Sequence, residues 1–296
     1  MGRVLKDITD IDAGSEVKAL ESATQKQRKL ESLLRDMGSV LVAFSGGVDS
    51  AFLAYEAHRV LGDRALAMTG ESPSYPAYQR NMAQQIVKKF HIPHDSIPTQ
   101  EMDSSDYLRN DSDRCFHCKS ELFTRLKAVA AERGYENVAD GSNADDRGDY
   151  RPGRQAAKQL GIRSPLDEVG LTKEEIRHLS RQVDLPTADE PASACLSSRI
   201  PYLIPITVEK LQMVEKGEEA LRALGFRHFR VRHHDKLVRL EFAAEEMARA
   251  LRPEMLPKLV ENFKALGYAF VTVDLEGYRT GSLNEVLPTT PRKPSD

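Results

Sequence analysis

The stretch "VLVAFSGGVDSAFLA" (Val40 to Ala54) constrains this chain more than any other. Its apolar run, Val40 to Phe44, suits a strand buried on both faces. The run passes directly into Ser45, Gly46 and Gly47, and an apolar helix follows from about Asp49 to Leu61, closed by Gly62. Glycines let the backbone approach an anion closely, and the first turn of a helix points unsatisfied N–H groups at it. In open α/β sheets such a loop lies at the C-terminal ends of the strands, where ligands bind. The loop holds no lysine and no Gly-Lys-Ser/Thr ending, so it is not the Walker type. From its glycines alone, an ordinary strand-to-helix turn would read the same way.

Strands and helices alternate through the first two thirds of the chain. A helix over residues 16 to 37 carries Leu20, Leu30, Leu33 and Leu34 on a stripe and stops at Gly38. "RALAMT" reads as a second buried strand, "AYQRNMAQQIVKKF" as a helix and "HDSIPT" as a weak strand. "KSELFTRLKAVAAER" is a helix with Leu122, Phe123, Leu126 and Val129 inward, and "ENVADG" is a fourth short strand. Thr172 and Glu175 form a capping box ahead of "IRHLSRQV". This order predicts an α/β, Rossmann-like parallel sheet covered on both faces, over residues 16–204. After about residue 205 the pattern changes. A helix (207–224), a hairpin of "RHFRVRHH" and "KLVRLEF" turning at Asp235, helical turns (244–266) and a last strand, "YAFVTVDL", predict a small C-terminal α+β domain over 205–287. The Pro-rich polar end, 288–296, reads as a disordered tail.

Net charge is −3, which gives no argument for a nucleic-acid partner, and no apolar run approaches the roughly 18 residues of a membrane span. The first residues, "MGRVLKDITDIDAGSE", lack the apolar core of a signal peptide, so the expectation is a cytoplasmic protein without a membrane partner. Three cysteines cannot all pair within one chain, and a reducing compartment favours metal-binding or catalytic use. Cys115 and Cys118 form a Cys-x-x-Cys pair in "RCFHCK"; Cys195 lies far off in "PASACLSSRIPY", with Arg199. The thiols by themselves fit a zinc site completed by His117 or His94, a redox dithiol passing a persulfide, or small buried side chains. "ADGSNADDRGDYRPG" sets Asp140, Asp145, Asp146 and Asp149 beside Arg147 and Arg151. Clustered carboxylates there suit magnesium held against a polyphosphate, or form a solvated acidic turn. In "FRVRHH", Phe229 and Val231 share one face and Arg230 and Arg232 the other. Paired guanidiniums suit a phosphate or carboxylate, or simply face solvent.

The whole of "SGGVDS", set between "VLVAF" and an apolar helix, resembles the PP-loop of the N-type ATP pyrophosphatases. The resemblance implies an enzyme that binds ATP with Mg2+, transfers AMP to an oxygen that leaves poorly, and lets a nitrogen or sulfur nucleophile expel it. It implies Ala43, Ser45, Gly46, Gly47, Asp49, Ser50, Thr69 and Gly141 as the ATP and pyrophosphate set, with Asp49 and Asp145 as candidate magnesium ligands. "SGGVDS", "DYRPG", "SSRIPY", "RVR" and "GYRTGSLN", in this order, are similar to the LarE-type pyridinium-biscarboxylic acid mononucleotide sulfurtransferases, across roughly residues 20 to 287. That family inserts sulfur while a nickel-pincer cofactor is assembled. The resemblance implies adenylation of ring carboxylates and their conversion to thiocarboxylates. Arg199, Arg230, Arg232, Glu218 and Glu241 would surround the substrate, with Lys119 near the reacting end.

One departure selects a branch of that family. Members that sacrifice a protein cysteine carry it directly after "AS" and lack the CxxC pair; here "ASAC" puts Ala194 there and Cys195 one residue later. The resemblance therefore implies the branch in which Cys115, Cys118 and Cys195 hold a [4Fe-4S] cluster. A cubane takes four thiolates, so three leave one iron able to carry a sulfide. Competing readings are a PP-loop tRNA thiolase with a three-cysteine cluster, a persulfide-based sulfurtransferase without a cluster, an ammonia-using amide synthetase and a nucleotide-sensing domain. The implied partners are the mononucleotide substrate, a sulfur donor and further copies of the chain in a homo-oligomer.

Overall fold

The computed structural model describes residues 4–148, 152–191, 194–279 and 281–286. Asp149, Tyr150 and Arg151 of the acidic loop, Ala192 and Ser193 ahead of Cys195, Thr280, and the tail 288–296 lie outside the described residues. The chain divides into two compact units. One gathers the described residues of Met1–Ser72, Ala77–Glu101 and Cys115–Ala192; the other gathers those of Pro73–Pro76, Met102–Arg114 and Ser193–Asp296.

In the first unit α1 (Val4–Met37) precedes β1 (Val40–Ala43), α2 (Val48–Leu61), β2 (Ala65–Glu71), α3 (Ala77–Phe90) and β3 (His94–Pro98). The short α4 (Ser105–Leu108) falls in the second unit. The first unit resumes with α5 (Arg114–Arg133), β4 (Asn137–Ala139), α6 (Pro152–Gln159), α7 (Pro165–Glu168) and α8 (Lys173–Gln182). Its four strands are all parallel, in the order β3-β2-β1-β4. The chain steps outward from β1 to β3 and then returns to add β4 on the other side of β1. The C-terminal ends of β1 and β4 therefore flank the switch point of the sheet, where a ligand crevice forms. Alternate residues serve opposite faces. Val40, Val42, Ala65 and Ala67 pack with Leu30, Leu34, Phe52 and Leu53, whereas Leu41, Leu66 and Met68 pack with Phe123 and Leu126 of α5. Burial on both faces is why these strands read as continuous apolar runs.

Two helices outrun their periodic stripes. α1 begins at Val4 rather than residue 16, because only Gly14 opposes helix in that polar stretch, at about 1 kcal/mol relative to Ala. α5 begins at Arg114, ahead of Lys119, so the CxxC pair lies inside a helix. The capping box at Thr172 and Glu175 forms with both of its hydrogen bonds.

The second unit carries α9 (Val208–Ala223), β5 (Phe229–His234), β6 (Leu237–Phe242), α10 (Ala244–Ala250), α11 (Leu256–Ala265) and β7 (Phe270–Val273). β5 and β6 are antiparallel around Asp235, which takes a φ of 51°, and β7 joins β6 in parallel. Phe229, Val231, Val238, Leu240 and Phe242 pack with Leu221, Leu259 and Phe263. With that face committed to the core, strand alternation turns Arg230, Arg232 and Glu241 to the other.

Candidate functional site

Phe44 to Gly47 form the turn between β1 and α2. Gly46 sits in the left-handed region at φ 70°, and a Cβ there would come 2.9 Å from the Gln79 carbonyl and 3.0 Å from the Ala83 methyl. Gly47 is the N-cap of α2 and has no side chain to close the first N–H groups of the helix. In front of it a Cβ would meet only Ser45 Oγ, at 3.5 Å, so the cradle has room for an anion. Ser50 Oγ donates to the Gly47 carbonyl (3.1 Å), accepts the Ser45 N–H (3.2 Å) and lies 3.1 Å from Ser45 Oγ. The two hydroxyls thus shape the loop from within. Ala43 is the last β1 residue, in register with Met68.

Gly141 follows β4, across the switch point. A Cβ on it would stand 2.8 Å from the Ser50 nitrogen and 3.1 Å from the Asp49 carbonyl carbon, so only glycine lets this loop touch the start of α2. Thr69, on β2, is buried; its hydroxyl donates to the Phe44 carbonyl (2.9 Å) and lies 2.9 Å from His94 Nε2. With its proton committed to Phe44, the hydroxyl takes the Nε2–H of His94. Burial lowers the His94 imidazole against the pull of Asp95 and Glu71, which favours that neutral ring. Through Nε2, His94 is therefore engaged in bracing the loop.

The candidate magnesium ligands meet at a residue that sequence reading missed. Asp49 Oδ1 accepts from Asn143 Nδ2 (3.2 Å), and its Oδ2 accepts from the Lys173 ammonium. Asp145 Oδ2 accepts the backbone N–H of Lys173 at 2.8 Å. Asp49 thus faces the side chain of this lysine and Asp145 its backbone, so a magnesium ion on Asp49 would share that carboxylate with the Lys173 ammonium. The only signal for Lys173 was its place after Thr172, which reads as a helix start. Asp140 accepts from Ser142 and Ser164, and Asp146 accepts the Asn143 N–H. Those two acids staple the loop rather than form an open cluster.

Cys115 and Cys118 lie three residues apart in the first turn of α5, on one face. Cys115 is exposed, Cys118 and Cys195 are half-buried, and none is in a disulfide. The Lys119 ammonium lies over the Phe123 ring, 5.1 Å from its centre. Gly153, of "DYRPG", packs on this turn: a Cβ there would stand 3.0 Å from Lys119 Cγ and 3.6 Å from the Cys115 carbonyl oxygen. Cys195 precedes a single turn, Leu196–Arg199, in the second unit. The thiols suit iron or zinc as donors. Among the described residues, however, no three His, Cys, Asp or Glu side chains are gathered as a metal ion requires.

The second unit holds a buried, cation-rich patch. Arg232 Nε and Nη2 each donate to Glu241 at 2.9 Å, with further bonds to Ser282 Oγ and the Ser198 carbonyl. Arg199 Nε donates to Glu218 at 2.7 Å, and Arg222 donates to the other oxygen at 3.1 Å. Arg230 donates to the Tyr278 hydroxyl (3.1 Å) and stacks on that ring at 4.6 Å. Arg230 and Arg232 are 9% and 5% exposed, so this is not a solvent-facing strand surface. Burial, then the Arg199 charge, draws the Arg230 guanidinium down to about 10. Burial pushes the Glu218 carboxyl up, but the Arg199 and Arg222 charges outweigh it and hold the group below the usual carboxylate range. Guanidinium charge exceeds carboxylate charge here, which is an electrostatic demand for an anion.

A parallel sheet whose switch point carries this glycine loop defines an α/β protein of the PP-loop class. No family-wide sequence profile matches the chain. It is 32% identical to pyridinium-3,5-bisthiocarboxylic acid mononucleotide synthase of Lactiplantibacillus plantarum over 266 residues, 88% of this chain and 95% of that protein. This chain belongs to the family of that synthase. It is also 45% identical to uncharacterized protein slr1717 of Synechocystis sp. over 264 residues, 88% of this chain and 98% of that one. The tRNA-specific 2-thiouridylase MnmA of Rickettsia africae is 29% identical over 195 residues, 52% of each chain. Among the described residues no helix is long and apolar enough to cross a membrane.

Proposed function

We propose that this chain is an ATP-dependent sulfurtransferase that converts the carboxylates of pyridinium-3,5-biscarboxylic acid mononucleotide to thiocarboxylates. The observation that carries the reading is its similarity to the bisthiocarboxylic acid mononucleotide synthase over nearly the whole of that protein. The open cradle at Gly47 and the anion-demanding patch around Arg230 support it. In this reading a substrate carboxylate oxygen attacks the α-phosphorus of ATP, and the bond to the β-phosphate bridge breaks. Pyrophosphate leaves against the N–H groups of Gly46 to Ser50, with Asp49 and Lys173 at its edge. A sulfur nucleophile adds to the acyl carbon, AMP departs with the original oxygen, and a thiocarboxylate is left.

Ala43, Thr69 and Gly141 shape the nucleotide end of the site, and Lys119 sits toward the acyl group. Arg230 and Arg232 take the substrate phosphate or a ring carboxylate, with Glu218 and Glu241 balancing their charge. Cys115, Cys118 and Cys195 are the ligands in the cluster reading; a cluster held by three thiolates, when bound, supplies sulfide at an iron without a protein ligand.

The test is anaerobic incubation of the chain with ATP, Mg2+, the biscarboxylate mononucleotide and sulfide. AMP, pyrophosphate and a product heavier by sulfur-for-oxygen exchange are expected. Failure to form AMP with the mononucleotide, together with 2-thiouridine formation on tRNA, would move the chain to the thiolase reading that the MnmA match supports.

A further inference from the structure

The segment carrying Cys195 is held from several sides within the second unit. Arg199 Nη1 donates to the carbonyls of Ala194 (3.2 Å) and Cys195 (3.3 Å) and to Ser198 Oγ (2.7 Å). Ser198 adds two donors to the same Cys195 carbonyl, its hydroxyl at 2.7 Å and its N–H at 3.0 Å. The Leu196 N–H is donated to the Ser74 carbonyl at 2.8 Å. Beyond the turn, Tyr107 Oη lies 2.5 Å from Ser197 Oγ, and Asn110 Nδ2 donates to the carbonyls of Pro201 and Ile204.

Among the described residues, Arg199 is the largest fully buried side chain, 1% exposed. Here one edge is fixed by Glu218, which is itself held from α9 by Arg222, and Nη1 faces the backbone at Cys195. A planar guanidinium can serve a carboxylate and two carbonyls at once; an ammonium cannot present donors in that fixed plane.

We propose that the buried Arg199–Glu218 pair is a positioning device for Cys195, holding its backbone so that the thiol is presented in one direction, and does not itself contact substrate. The inference rests on the reading in which Cys195 takes part in sulfur transfer. Its test uses neither substrate nor iron, so its failure is distinct from a failure of that reading, which the product mass reports.

In the full chain carrying Cys115→Ser and Cys118→Ser, Cys195 is the single thiol. Its alkylation by iodoacetamide at fixed pH is compared with and without Arg199→Lys, alongside backbone hydrogen exchange of the 194–200 segment. Arg199→Lys should speed alkylation about fivefold and accelerate exchange in this segment first. Ser198→Ala, which keeps the buried ion pair and removes one donor to the Cys195 carbonyl, should give about a twofold rise and decides the matter where Arg199→Lys does not fold. Unchanged alkylation and exchange in a folded variant would overturn the proposal and return Arg199 to direct substrate contact.

Discussion

A methyl group at Gly141 would press on backbone, not on a side chain that could swing away, because its nearest neighbours are the Ser50 nitrogen and the Asp49 carbonyl carbon. Gly141→Ala should therefore cost about 1–3 kcal/mol of stability and weaken ATP binding. Thermal unfolding with and without ATP measures both; full stabilisation by ATP in the variant would remove Gly141 from the nucleotide site. Lys173→Met tests a different kind of residue. Lys173 and Asp49 are 31% and 23% exposed, so their ion pair is worth no more than about 1 kcal/mol and the melting temperature should hardly move. AMP formation should nevertheless fall by about tenfold or more, since a positive charge at the leaving pyrophosphate is removed. Equal rates would confine Lys173 to stapling the loop. Gly46 and Gly47 could be read in advance because a tight turn into a helix is a local need, whereas Gly141 followed from the family resemblance, since the Ser50 backbone it approaches lies far along the chain. Lys173 could not be read in advance, because its partner lies 124 residues away.

At the scale of the element, β5 ends in two histidines on opposite faces. His233 Nδ1 lies 2.9 Å from the Tyr268 hydroxyl, with Asp235 and Lys210 nearby, and burial lowers its imidazole. Burial also lowers His234, reinforced by the Arg239 and Arg232 charges. Folded values below the unfolded value near 6.5 mean that the unfolded chain binds protons first as pH falls. The stability from these neutral rings is complete above about pH 6.5 and is lost as pH drops through the folded values. Melting temperature should decline between pH 7 and pH 5, and His233→Gln should flatten that slope; an equal slope would place the effect elsewhere. The same strand shows how far pattern reading carries. Its alternation separates Phe229 and Val231 from Arg230 and Arg232, but their burial depends on Ser198 and Tyr278, which come from other parts of the chain. α5 shows the converse: its apolar stripe starts at Leu122, so the polar first turn with the two cysteines carried no periodic mark of helix.

For the molecule as a whole, the deciding quantity is iron. Anaerobic purification with reconstitution, followed by iron, acid-labile sulfide and visible absorption, should show a cluster that is lost in Cys115→Ser. A chain without iron after reconstitution would leave sulfur transfer to a persulfide on one of the same cysteines. Cys195→Ala should keep AMP formation and abolish thiocarboxylate; loss of both would place Cys195 in the adenylation step. The sequence by itself determined the order of the strands and of most helices, though not the short α4, α6 and α7, together with the glycine loop after the first strand and the residue types on offer. These follow from periods of two and 3.6 and from backbone freedom at single positions, which are local properties. Only the tertiary structure decided that Thr69 and His94 brace the loop, that Lys173 closes on Asp49, and that Arg199 is sealed behind the Cys195 backbone. Those pairings join residues remote along the chain. They exist only once the sheet and its helices have packed and brought these polar groups within hydrogen-bonding reach.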